Sequence, residues 1–149
     1  MKKAETTKLS NPKDAIGVTK PPLSTVPATV THEVGLALLE GALKYGRHNY
    51  RVIGVRASVY YDATMRHLNK WWEGQDIDPD SGMSHITKAI ASLYVLRDAM
   101  IQDMLNDDRP PMAREGFFED LAVQTKNILA RYPTSVPAYT QKGESEKEK

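Results

Sequence analysis

The densest chemistry in this chain lies between Arg66 and His85. In RHLNKWWEGQDIDPDSGMSH, an Arg-His pair, two tryptophans, four acidic residues and a second histidine fall within twenty positions. Carboxylates, cations and imidazoles together are the equipment of a phosphate-handling site. Carboxylate oxygens suit hard divalent ions such as Mg2+ or Mn2+. An ion held that way bridges phosphate oxygens and positions a water, while arginine and lysine neutralise developing charge. The sequence has no cysteine. That removes thiolate nucleophiles, thiolate zinc sites and disulfides, and it fits a reducing cytoplasm. It also has no glycine-rich phosphate loop, Gly-x-Ser-x-Gly elbow, His-Glu-x-x-His motif or His-Asp dipeptide. Direct attack by water is then more economical than a covalent intermediate.

Related groups recur outside this stretch, each with an ordinary structural role in competition. Glu33 and Glu40 stand seven apart, two helical turns along one face, and Glu40 precedes Lys44 by four, the favourable order for a helical ion pair. Arg47, Arg51 and Arg56 make a basic loop in GRHNYRVIGVRA. Guanidinium forks match phosphate oxygens, though such arginines are also common as solvated side chains. Asp62, Arg66, Asn69 and Glu73 share one helical face, as ion pairs or as a surface toward a ligand. Asp78, Pro79 and Asp80 match helix N-cap, first-position and first-turn preferences, so capping competes with metal binding there. A calcium loop is excluded: counted from Asp76, the glycine falls at position 7 instead of 6, and position 12 is Thr87 instead of glutamate. His85 reads either as a satisfied core histidine or as a group pointing inward beside the acidic loop.

Helices must position these groups. A chain of 149 residues makes one domain with a real core. Residues 1–10 are polar and expected to be mobile. Residues 11–29 hold four prolines and predict an extended arm. Ile16, Val18, Leu23 and Val26 would strap it across the helices, where Lys13, Asp14 or Lys20 could reach a ligand. A helix from Thr29 or Thr31 to Tyr45 carries the stripe Val30, Val34, Ala37, Leu38, Gly41 and Ala42, with Gly46 as its stop. A second, capped by Ser58 and ending at Gly74, carries Tyr61, Met65, Leu68 and Trp72. A third runs from Ser81 or Ser84 to Met104 with His85, Ala89, Ser92 and Leu96 on one stripe. Only Lys88 is charged between Ile86 and Leu96, so this helix is central or lies at an oligomer interface. Asn106–Pro111 breaks the pattern, a fourth helix spans Arg114 to Arg131, and residues 133–149 form a loose tail. The expected fold is all-α: a four-helix bundle over residues 11–132 with a proline-rich arm, completed as a homo-oligomer. The net charge of +1 argues against bulk attraction to nucleic acid or acidic membranes. The start shows no signal peptide, and no apolar run is long enough to span a bilayer.

Three segments in order, NPKDAIG…KPPLSTVP, EGALKYGRHNY and RHLNKWWEGQDIDPDSGMSH, resemble the phage and bacterial dATP/dGTP diphosphohydrolase family (N-terminal domain) over roughly residues 11–111. Two departures matter. Gln75 stands where the family pattern often has glutamate. The paired Glu-x-x-Glu and Glu-x-x-Asp of MazG-like enzymes is not reproduced, because Glu33 and Glu40 are seven apart and Asp62 stands alone. The resemblance implies a MazG-like all-α nucleotide pyrophosphohydrolase. It would convert dGTP, and dATP with it, to the monophosphate and diphosphate in the host cytoplasm, feeding 2-aminoadenine (diaminopurine) nucleotide synthesis. Lys44, Asn49, Arg66, His67, Asp76, Asp78, Ser81 and His85 match its motifs. In that light Asp76 and Asp78, with Glu33 or Glu40, are assigned to Mg2+ or Mn2+. Lys44 and Arg66 hold phosphates, with Arg47, Asn49, Lys20 and Ser81 also on the substrate. His85 or His67, beside Asp76, orients the water or a phosphate oxygen, and the purine stacks between helices on a tyrosine or a tryptophan, Trp71 being one candidate. The alternative is a non-catalytic helical module that binds a nucleotide or a protein; a nucleic-acid-binding domain ranks below both because of the charge.

Overall fold

The computed structural model describes residues 11–141. The expected mobile N-terminus and the last residues of the tail lie outside the described residues. The chain divides into two compact units, Met1–Arg109 and Pro110–Lys149. The protein is all-α: α1 (Pro12–Gly17), α2 (Ala28–Tyr45), α3 (Ala57–Trp72), α4 (His85–Ile101) and α5 (Phe117–Arg131), with two-residue strands β1 (Val55–Arg56) and β2 (Leu105–Asn106). Three long helices belong to the first unit, and the fourth, α5, belongs to the second.

In the first unit α4 is the central element. It packs against both α2 and α3, as its nearly uncharged middle predicts. Val34 and Ala37 of α2 meet Ala91 of α4 in one small core, with Leu38, Met83 and Ile90 around it. Val55, Val95 and Ala99 make a second core, flanked by Tyr50, Tyr60 and Met104. Ser84 is the N-cap of α4, its hydroxyl accepting from the Ile86 amide. Beyond α4 the chain returns so that β2 pairs in parallel with β1. Gly54 makes this approach possible: a Cβ there would sit 2.7 Å from the Met104 carbonyl oxygen, and its φ is +81°.

Three expectations are corrected. The arm is not extended throughout. Asn11 caps a short helix by accepting from the Lys13 amide, and Pro12 occupies its first turn. Nor does the arm strap the bundle, because every residue from 11 to 29 is exposed. Ser58 is not the cap of α3. The helix begins a residue earlier, and the Asp108 carboxylate accepts from both the Ser58 amide and its hydroxyl. A side chain fifty residues away thus fills the capping role. Finally, the apolar stripe of α3 faces outward: Tyr61 is 62% and Trp72 78% exposed. The face turned to α4 carries Ala57 and Thr64, with Tyr60 and His67 half-buried. Short side chains allow close helix approach, so the small and polar face is the buried one.

Candidate functional site

Two neighbouring constellations emerge from this packing. The first is a cavity of about 430 Å³ between α2, the turn that follows it, Tyr60 of α3 and the middle of α4. Its polar lining includes Glu40, Lys44, Arg47, Asn49, Lys88 and Ser92, and its rings are His48, Tyr45, Tyr50 and Tyr60. Lys44 bonds Glu40 at 2.6 Å within α2, and Lys88 reaches across from α4 to the other carboxylate oxygen. The hydrogen bonds from Lys44 and then Lys88 hold Glu40 below the ordinary carboxylate range. Lys44 is raised in turn, mainly by Glu40, with Asp78 adding a smaller pull. Arg51 is committed elsewhere, forked onto Asp98 with both bonds at 2.7 Å. Arg56 lies 4.0 Å from Asp108. Of the three loop arginines only Arg47 lines the cavity, and its side chain bonds to none of the described residues. Burial pushes the Tyr60 phenol up, so it faces the cavity as a donor.

The second constellation is the corner between α3 and α4. His85 is 0% exposed. Its Nε2 is 2.9 Å from Gln75 Oε1, and its Nδ1 is 2.9 Å from Nδ1 of His67. The amide oxygen of Gln75 only accepts, so His85 carries its proton on Nε2 and offers Nδ1 as an acceptor. His67 must then donate from Nδ1, which leaves its Nε2 as an unprotonated base. Asp78 is 6% exposed and accepts from the Asp80 amide and the Ser81 hydroxyl. Burial, the largest single influence, would raise Asp78, but those two bonds together with the nearby His85 and His67 outweigh it and hold the carboxyl low. Its charge acts on Lys44 and on both histidines, so the corner and the cavity form one electrostatic neighbourhood.

Asp78 is therefore neither helix cap nor free ligand. Its carbonyl accepts from the Gly82 amide, its own amide donates to Met83, and Gly82 at φ +70° turns the chain before α4 begins. The proposed ligand set does not assemble in one chain. Glu33 accepts from Thr87, Glu40 is held by two lysines, Asp78 by its own loop, and the Asp76 side chain is exposed. Among the described residues no three His, Asp or Glu side chains gather as an ion would require. Lys20 stands on the exposed arm, and Arg66 is exposed without the Asp62 partner considered for it. Trp71 packs beside Trp72 and does not line the cavity. Lys88 and Gln75 were not anticipated as site residues, and the expected tyrosine was not picked out among Tyr45, Tyr50 and Tyr60. Lys88 was visible as the single charge in the apolar run of α4.

His67 makes stability depend on pH. Burial first, and then the neighbouring His85 imidazole, lowers it from its ordinary 6.5. The unfolded chain takes up that proton more readily, so protonation favours unfolding. This contribution is intact above 6.5 and is lost as pH falls through the folded value. Urea midpoints measured between pH 7 and 5 decline, and His67→Gln flattens the decline; an unchanged slope would contradict the arrangement.

A helical domain whose cavity joins a lysine pair, and an arginine with no partner among the described residues, to three tyrosine rings has the character of a phosphate-ligand binder. Its family is shown by sequence: residues 10–109 match the family described as dATP/dGTP diphosphohydrolase, N-terminal, and the chain belongs to that family. Over 90 residues, 60% of this chain, it is 31% identical to the dATP/dGTP diphosphohydrolase of Salmonella phage PMBT28. The matched part spans 30% of that relative's length. No solved structure matches. Among the described residues no helix is long and apolar enough to cross a membrane.

Proposed function

We propose that the chain hydrolyses purine deoxynucleoside triphosphates, dGTP and dATP, to the monophosphate and diphosphate, as a supply step toward diaminopurine nucleotides. The observation that carries this is the lysine pair bridged by Glu40 at the wall of a tyrosine-lined cavity. Lys44 and Lys88 sit poised on a carboxylate, and a triphosphate offers them more negative charge than one carboxylate does. Arg47 adds a fork with no competing partner among the described residues. Water attacks the α-phosphorus, the bond from that phosphorus to the α–β bridging oxygen breaks, and diphosphate leaves with its charge against the lysines. The water's proton passes to Nε2 of His67, the unprotonated imidazole nitrogen of the corner that has no hydrogen-bond partner among the described residues. His85, wholly buried, positions His67 and does not meet the substrate. Mg2+ or Mn2+ would accompany the nucleotide; Glu40 can join such an ion only by giving up both lysines, so no step is assigned to it. The homo-oligomer belongs to the same proposal, with the outward stripe of α3 as its contact surface, and sedimentation of the purified chain reports it.

The test is a panel of the four deoxynucleoside triphosphates with either metal, reading diphosphate and phosphate separately. Diphosphate from dGTP and dATP is the expected result. Saturable binding with no turnover would favour the non-catalytic module instead.

A further inference from the structure

The wall of the cavity includes a side-chain amide with no partner among the described residues. Asn49 begins the turn that follows α2, and its backbone is fixed on both sides. Its amide donates to Gly46 at 3.2 Å, and its carbonyl accepts from Val52 at 3.0 Å and Ile53 at 2.8 Å. The two residues that shape the entry hold positive φ, Gly46 at 92° and His48 at 61°. The second is unusual for a residue with a side chain and marks a turn held by its surroundings. The neighbouring Tyr50 hydroxyl is 3.3 Å from His48 Nδ1, yet the Asn49 carboxamide lines the cavity and bonds to none of the described residues. A half-buried amide on a pinned turn, among three tyrosine rings, is placed to read an edge and not to build the turn.

We infer that Asn49 reads the edge of the base, and that its two-sided amide is why one cavity accepts both adenine and guanine. This rests on the cavity being the nucleotide site. A carboxamide offers one acceptor and one donor group side by side. Adenine presents an amino donor beside a ring-nitrogen acceptor, and an amide meets that pair with two bonds. Guanine presents the opposite order, a carbonyl acceptor beside the N1–H donor, and the same amide meets it after a half-turn about its last side-chain bond. The tyrosines supply the ring area that a purine covers more fully than a pyrimidine, while the amide leaves the choice between purines open. A carboxylate at this position cannot turn to suit both. It accepts from guanine N1–H and the 2-amino group together, but it faces an adenine ring nitrogen with like polarity.

The experiment is calorimetric binding of the α,β-methylene analogues of dGTP and dATP to the full chain and to Asn49→Asp and Asn49→Ala, with folding checked by thermal midpoint. The ratio of dATP-analogue Kd to dGTP-analogue Kd in Asn49→Asp rises by roughly tenfold or more over the parent. Asn49→Ala weakens both analogues without that bias. A ratio that stays within about threefold in Asn49→Asp overturns the assignment. Because the analogues cannot be cleaved at the α–β bond, the ratio is read whether or not the chain turns anything over. Binding of both without hydrolysis of the natural nucleotides would sink the proposed reaction alone, and binding of neither would sink both.

Discussion

Replacing His85 with alanine lowers the free energy of unfolding by about 3–5 kcal/mol. Two costs combine. Among the described residues the imidazole is the largest fully buried side chain, and its removal leaves a cavity. It also strands Nδ1 of His67 and Oε1 of Gln75, both of which it satisfies at 2.9 Å. A partner left unpaired in a part-buried place costs more than the bond contributed. The loss is a large share of the stability of a domain this size. Urea unfolding at pH 7.5 measures it, and a loss below about 1 kcal/mol would show that the histidine pair is not structural. The surviving protein also loses the bond that keeps the His67 proton on Nδ1, so any pH–rate profile changes shape.

The second large effect falls on activity. Lys88→Met lowers kcat/KM for dGTP by roughly 10²–10³-fold, the usual scale for losing one group aimed at developing charge. Methionine keeps the apolar stem, and Glu40 keeps Lys44 as a partner, so the thermal midpoint moves little. The comparison with Lys88→Arg separates charge from geometry. Arginine restores part of the rate if a cation is what matters, and none if the compact ammonium between α2 and α4 is required. A loss under about fivefold in Lys88→Met would remove the lysine pair from the phosphate site.

How much of this was legible in the sequence depended on whether the signal was local. The end of α2 at Gly46, the end of α3 at Gly74 and the Ser84 cap of α4 all follow from residues within one turn of the boundary. One instructive failure has the same composition as a success. Asn11–Pro12 and Asp78–Pro79 each offer a capping side chain followed by proline, yet only the first starts a helix. At the second, Gly82 adopts a left-handed turn and Ile77 bridges to Ser84, which closes the chain on itself before the helix can begin. Tertiary pairing overrode a valid local preference. The stripe of α3 failed differently. Periodicity shows that Tyr61, Met65, Leu68 and Trp72 share a face, but not which face finds a neighbour.

The candidate site was half visible. Lys44, Arg47, Asn49 and Glu40 do line one cavity, and His67 does meet His85. The crowded stretch from Arg66 to His85 divides, however: Arg66 and Trp71 do not line the cavity, Asp78 is consumed by its own loop, and Gln75 gains a role as the acceptor that orders two imidazoles. Lys88 is the clearest missed residue. A lone lysine in an apolar helix is costly to bury without a partner, and Glu40, forty-eight residues earlier, is that partner.

The most direct test of the whole account is hydrolysis of dGTP in water enriched in oxygen-18, with the products read by phosphorus NMR and mass spectrometry. Attack at the α-phosphorus places one labelled oxygen in dGMP and leaves the released diphosphate unlabelled, and His67→Gln slows that reaction without moving the label. Label in diphosphate or in free phosphate, or no turnover of dGTP or dATP with either metal, would contradict it.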